Sequence, residues 1–286
     1  MINHGANIER THKSEYRGKF APALAAFTLL FAFGCHDALP LDSTGLEKVR
    51  SLAGAHWDSI DSRHFRLYTE PDTWAARHIA MLRDRAERAR TDDLALLGMW
   101  WYPHRIHIFY FASKARLDSV FGEPGEGQAD PPGQLVMLLA DSGRYEKTDE
   151  RHEIMHVISI TRWGWGARNQ VWMIEGLANF ASGSEWPYTI DQMAAQARHN
   201  GDLRGPTDLT DDHFLDGDSP AHFRAYMLAG SFVGFLGVDK LRELWQRGLP
   251  PAEMARLTAR WNDHLRAVAL PSKGIDLIHV MECTCP

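Results

Sequence analysis

The alternation of apolar and polar residues divides the chain into a strand-and-helix part and a helical part that follows it. Phe65 and Leu67 alternate with His64, Arg66 and Tyr68, the period of a half-buried strand. Pro71 and Asp72 close that strand, and Thr73 is placed to cap a long helix reaching about Leu97, with Trp74, Met81 and Leu82 among its apolar positions. Arg105 to Phe111 predicts a second strand with Ile106 and Ile108 on one side, and Ser113 caps a shorter helix through Val120. Gly122 to Gly133 reads as a loop of glycine, proline and acid, and Gln134 to Ala140 as a third strand. A helix opened by Thr148, Asp149 and Glu150 follows, with a capping hydroxyl and acids at the positive end of its dipole; Ile154, Val157 and Ile158 bury its back. Another runs from Trp172 to about Ser182 and stops at Gly183. From Trp186 onward the pattern is helical over 190–199, 220–236, 238–247 and 251–270, and Gly230, Gly234 and Gly237 thin one side of the second of these. The expected fold class is α+β, with a small mixed sheet and its helices in residues 63–183 and a mainly helical lobe in 184–286.

The beginning of the chain reads differently. Arg10, Lys13, Arg17 and Lys19 form a basic region, and Ala21 to Phe33 is an apolar run too short to span a bilayer comfortably. Residues 1–34 are therefore expected to be a signal segment outside the fold. Ala32-Phe33-Gly34-Cys35 resembles the lipobox of bacterial lipoproteins, with Ala32 where leucine is usual and Phe33 bulky for its place. That resemblance implies an exported chain, lipid-anchored to the membrane at Cys35, with residues 35–62 as a tether broken by Pro40, Asp42, Ser43 and Gly45. An ordinary secretory signal or a retained anchor helix are the alternatives. If Cys35 carries lipid, only Cys283 and Cys285 remain, and a Cys-x-Cys disulfide closes a tight ring. A free pair, or a second metal site without neighbouring ligands, are the other readings.

The full 286 residues can bury a sizeable core, and a net charge of −6 gives no reason to expect nucleic-acid binding. Ten tryptophans are many for this length and read as core and groove packing.

The chemistry concentrates in Arg151-His152-Glu153-Ile154-Met155-His156. On a helix, His152 and His156 share one face about one turn apart, so two imidazole nitrogens can converge on one zinc ion at roughly 2.0–2.1 Å. Glu153 points to the flank of that face, within reach of a water on the metal without being a ligand. A catalytic zinc needs a third protein ligand and an open position. Glu175 lies nineteen residues after His156, in Trp172-Met173-Ile174-Glu175-Gly176-Leu177-Ala178, with Gly164, Gly166 and Asn169 supplying the turn between.

Here the chain resembles the gluzincin metallopeptidases of the peptidase MA-like group, which includes the thermolysin and zinc-aminopeptidase branches. The matching residues are His152-Glu153-x-x-His156 and Trp172-x-x-Glu175-Gly176-Leu177-Ala178, at the aminopeptidase spacing, and the likeness covers residues 134–183. It implies one zinc ion on His152, His156 and Glu175, with Glu153 as general base and a peptide or protein as substrate. It also implies that the strand before the zinc helix, Leu135 to Leu139, lies at the sheet edge and pairs with extended substrate. An electrophile for the oxyanion is expected in the C-terminal lobe: Tyr226 first, His222 second. Asn179, four residues after Glu175, stands where relatives keep an acid that orients a zinc-bound histidine. No counterpart of the aminopeptidase Gly-x-Met-Glu-Asn grip is present, which favours an endopeptidase-like or atypical site. His199 and His213 read as surface histidines. A zinc hydrolase with a non-peptide substrate and a proteolytically inert zinc-binding surface protein are the rival readings, and the intact Glu153 speaks against the second.

Overall fold

The alternation over the first two predicted strands is realised in one sheet, and its phase decides what lies on each face. The structure is a computed structural model that describes residues 40–52, 54–121, 126–140, 150–167, 170–183, 188–201 and 219–277, with only the backbone of residues 121 and 219–223. Its five strands are β1 (Asp58–Asp61), β2 (Phe65–Thr69), β3 (Ile106–Phe111), β4 (Gly127–Asp130) and β5 (Leu135–Leu139), in the order β1-β2-β3-β5-β4. β2, β3 and β5 are parallel, while β1 and β4 run antiparallel at the two edges.

Phe65, Leu67, Ile106, Ile108, Tyr110, Val136 and Leu138 face the larger core. Tyr68, Phe109, Phe111, Leu135, Met137 and Leu139 face a smaller one on the other side. Both faces of β3 and β5 are thus covered, which is why these strands are apolar at nearly every position.

The helices are α1 (Thr44–Arg50), α2 (Trp74–Arg77), α3 (Ile79–Leu96), α4 (Lys114–Phe121), α5 (Glu150–Trp163), α6 (Val171–Ser182), α7 (Ile190–His199), α8 (Ser219–Leu236), α9 (Val238–Leu244) and α10 (Pro251–Ala267). Leu46 and Val49 of α1 and Leu117 and Val120 of α4 cover the smaller core. The single helix expected after Thr73 is two. Thr73 Oγ1 caps α2 by accepting from the Ala76 amide at 3.2 Å, and the chain leaves helical geometry at His78 (φ −112°) before α3 begins. Within α3, Leu82, Ala86, Ala89 and Leu94 form the buried stripe.

Three expectations are corrected. Residues 35–62 are not all tether: α1 and β1 lie within them, and β1 pairs with β2. Two apolar residues one turn apart, Leu46 and Val49, suffice to dock α1, too few to register as a periodic pattern. The stretch 122–133 is not all loop, because Gly127–Asp130 pairs with β5 through its backbone. In consequence β5 is not at the sheet edge; among the described residues β4 is.

The larger core runs unbroken from Phe65 of β2 to Leu277, so the parts expected as separate lobes share it. All described residues belong to one compact unit, Asp37–Pro286. The C-terminal helices join it through α6 and α8. A Cβ on Gly176 would stand 2.7 Å from the Ala229 carbonyl oxygen, so only glycine lets these two backbones come so close. On the facing helix, Gly230 and Gly234 lie against Asn179 and Phe180, the close approach expected of that side. Met254, Leu257, Trp261 and Leu265 of α10 pack into the same core. No helix among the described residues is long and apolar enough to cross a membrane. The predicted signal segment, Cys35, Thr148, Asp149, Asn169, His213, Cys283 and Cys285 lie outside the described residues.

Candidate metal centre

Helix α5 is held at its first turn by charge. Glu150 is buried, accepts from the Tyr110 hydroxyl at 2.8 Å and stands 3.3 Å from Arg85 Nε. Arg151 Nε donates to the fully buried Asp93 at 2.9 Å. Removing one partner of such a buried pair leaves an uncompensated charge, so the two pairs fix where α5 begins and how it is rotated. The next residue is His152.

That rotation presents His152 and His156 side by side, their rings edge-to-face with centroids 4.6 Å apart. The two Nε2 atoms are 2.9 Å apart, and each lies 3.3 Å from Oε2 of Glu175, which α6 brings across. His152, His156 and Glu175 form a candidate metal-binding triad. Three lone-pair-bearing atoms turned toward one point repel one another unless positive charge lies between them. One proton relieves one contact of the three, whereas one cation relieves all. A tetrahedral ion with bonds of roughly 2.0–2.1 Å sets its ligand atoms roughly 3.3–3.4 Å apart. The triangle of 2.9, 3.3 and 3.3 Å is close to that size, so the residues present fit such an ion.

Burial alone would raise the Glu175 carboxyl, but the charge of His156 and the hydrogen bonds and charge of both histidines hold it well below the usual carboxylate range. Glu175 is therefore an anion facing two imidazoles, the form in which it can be a ligand.

Glu153 lies outside the triad, buried, with its carboxylate against the edge strand. A Cβ on Gly127 of β4 would stand 2.5 Å from Glu153 Oε1. Gly127 thus makes room for the Glu153 carboxylate between α5 and the sheet edge. In the sequence Gly127 is barely marked. Its only signal was a short run between Pro124 and Pro131 with no alternation to mark it as a strand.

Tyr226 of α8 comes to the same place. Its ring centroid lies 6.2 Å from that of His152. Burial, then the nearby carboxylates of Glu175 and Glu153, push its hydroxyl well above the usual phenol range, so it stays a donor. The close approach of α6 and α8 at Gly176 is what delivers it. The side chain of His222 lies outside what the structure describes, and His199 is exposed at the end of α7.

Asn179 does not take the orienting role considered for it. Its amide donates to the Glu175 carbonyl at 3.2 Å, one turn back on its own helix. His156 Nδ1 is buried without a hydrogen-bond partner.

The fold is thus a mixed α+β structure with a five-stranded sheet, and its site is a candidate metal-binding triad flanked by a carboxylate and a phenol. No family model and no curated protein matches the chain.

Proposed function

We propose that the protein is a zinc-dependent peptidase of gluzincin type, with a zincin-like fold built from the sheet, α5 and α6. The observation that carries this reading is the convergence of His152, His156 and Glu175 on one point, with Glu153 close by but outside the set. Two histidines and one carboxylate with a position left open is the donor set of catalytic zinc, whereas structural zinc is enclosed by four protein ligands. The edge strand supports a peptide as substrate: among the described residues β4 pairs with β5 alone, and it passes beside Glu153. An extended peptide could add to it as a further strand. The role expected of Leu135 to Leu139 is thereby transferred to Gly127–Asp130.

Zinc held by the triad would act as a Lewis acid, polarising the scissile carbonyl and bringing the pKa of a coordinated water to about 7. Glu153 accepts the proton of the attacking water and passes it to the leaving amine. The Tyr226 hydroxyl donates to the oxygen on which negative charge develops. Gly127 keeps the Glu153 carboxylate in its slot. The test is metal content by elemental analysis, together with turnover on a mixed peptide library before and after chelation. Peptide cleavage that a chelator abolishes and added zinc restores is expected. Cleavage indifferent to chelation would end the reading.

Tyr226→Phe should keep the zinc and the fold but lower turnover by about 10²–10³, the usual cost of one lost oxyanion donor. An unchanged turnover number, with metal content measured on the same sample, would pass the role to His222.

The protein is also proposed to be exported and lipid-tethered at Cys35, on the Gly34-Cys35 junction behind the basic and apolar runs. Fatty-acid labelling that Cys35→Ser abolishes is expected, and labelling that survives the change would refute it.

A further inference from the structure

Tryptophan is costly to leave in water, yet Trp100 is 91% exposed and Trp101 beside it 54%. Their rings stack on each other, centroids 6.0 Å apart, at the tip of the loop between α3 and β3. This loop is not a loose excursion. Gly98 turns it with φ +63°, Arg90 donates to the Tyr102 carbonyl at 3.1 Å, and the Tyr102 hydroxyl donates to Gln134. The indoles are thus held outward by a rigid base.

The same hydrogen bonds identify what lies around them. Gln134 Nε2 donates to Pro131 and to Thr161 in the last turn of α5, and the Asp42 amide donates to Pro132 at 2.9 Å. The Trp100–Trp101 loop, the 131–134 turn, the end of α5 and the first described residues, Pro40–Asp42, therefore share one end of the molecule. Leu41, half exposed, lies there too.

Exposed arginines stand at this end. Arg63, Arg105 and Arg162 are exposed, and the charge of Arg162 reaches His104. The carboxylates nearby are engaged. Asp61 is paired with Arg66 and Arg105 and Glu87 is held by His64 and Ser62, whereas Asp42 and Asp130 accept only from uncharged donors, Thr44 and the Gly133 amide. Among the described residues Arg63 and Arg162 have no ion-pair partner.

We propose that this end is a docking face for an anionic lipid bilayer, with Trp100 and Trp101 entering the headgroup layer and Arg63 and Arg162 meeting lipid phosphates. Indole rings favour that layer because they join a broad apolar surface to a polar N–H. Unpaired arginines beside them add attraction to acidic headgroups. The chain joins this end at Pro40, and the five residue-to-residue steps from Cys35 to Pro40 reach at most about 18 Å when extended. Lipid on Cys35 and this face would then act as two signals for one membrane, the combination that makes anchoring firm. The face deepens the lipid-tether reading and is independent of the peptidase reading.

The test uses the chain from Asp37 onward, which lacks Cys35 and the apolar run but retains the whole core, Leu46 to Leu277. It is sedimented with vesicles of phosphatidylethanolamine and phosphatidylglycerol, and with vesicles of phosphatidylcholine alone. Binding to the anionic vesicles is expected, with blue-shifted tryptophan emission and weakening as salt is raised. Trp100→Ser with Trp101→Ser should lower partitioning at least about tenfold. Arg63→Glu and Arg162→Glu should each lower it about fivefold on the anionic vesicles only. Equal melting temperatures of parent and variants exclude unfolding as the cause. A parent that ignores both vesicles, or a double serine variant that binds as well as the parent, overturns the proposal. So does a parent dimer that the double change dissociates, since the face would then join two copies of the chain. Cleavage of a small soluble peptide is unaffected in every arm, so failure here leaves the peptidase reading standing.

Discussion

Glu153→Gln should bind one zinc ion per chain with near-parental affinity, melt close to the parent and lose nearly all hydrolysis. The three atoms that converge on the metal position are His152 Nε2, His156 Nε2 and Glu175 Oε2, and none belongs to Glu153. Glutamine keeps the length and shape of the side chain, so it fits the slot that Gly127 leaves beside α5. It lacks the carboxylate that accepts a proton, and removing a general base alone costs about 10²–10⁴ in rate. Elemental analysis and turnover on one good substrate, measured on the same preparation, separate the two functions. A variant that loses its zinc would make Glu153 a ligand, and one that stays fully active would remove it from the chemistry. Either result would break the assignment.

How far such geometry could be read from the chain depended on where the partners of each element lie. β2 and β3 were legible because their alternate residues feed two different cores, and the phase of the alternation survives in the sequence. β4 was not, since Gly-Gln-Ala-Asp has no apolar phase and its place is set by backbone pairing to β5. Misplacing β4 also misplaced the edge of the sheet. Likewise α1 has only Leu46 and Val49 to bury, and its docking depends on Phe109, Phe111 and Leu135 far along the chain.

The metal triad was legible for the opposite reason. Four-residue spacing on one helix is local information, and Glu175 followed by Gly176 marks the second helix. What holds the triad in place was hidden. Glu150 and Arg151 are fixed by Tyr110 and Asp93, 40 and 58 residues away, and nothing local to α5 announces them. The reach of Tyr226 into the site needed two helices to touch at Gly176 and Ala229, a contact with no period to read. Asn179 shows the limit of spacing. It lies on the right turn of α6, yet the bond the structure shows runs from its Nδ2 to the Glu175 carbonyl and not to a histidine.

Glu175→Ala should lose zinc and activity together, and the loss should also appear in thermal unfolding. The carboxylate supplies the one anionic ligand of the triad and faces both histidines at 3.3 Å. Alanine leaves only the two imidazole nitrogens 2.9 Å apart, a pair too weak to hold the ion through purification. A ligand that binds only the folded state stabilises it in proportion to the logarithm of its concentration over Kd, about 2.7 kcal/mol at a hundredfold excess. The parent should therefore melt higher when zinc is added to the chelated protein, and so should Glu153→Gln. Glu175→Ala should melt at one temperature with or without zinc. This readout needs no substrate, so it judges the metal site apart from the peptidase assignment. If Glu175→Ala keeps both its zinc and the rise in melting temperature, the third ligand lies elsewhere, and the crossing of α6 over α5 has another purpose.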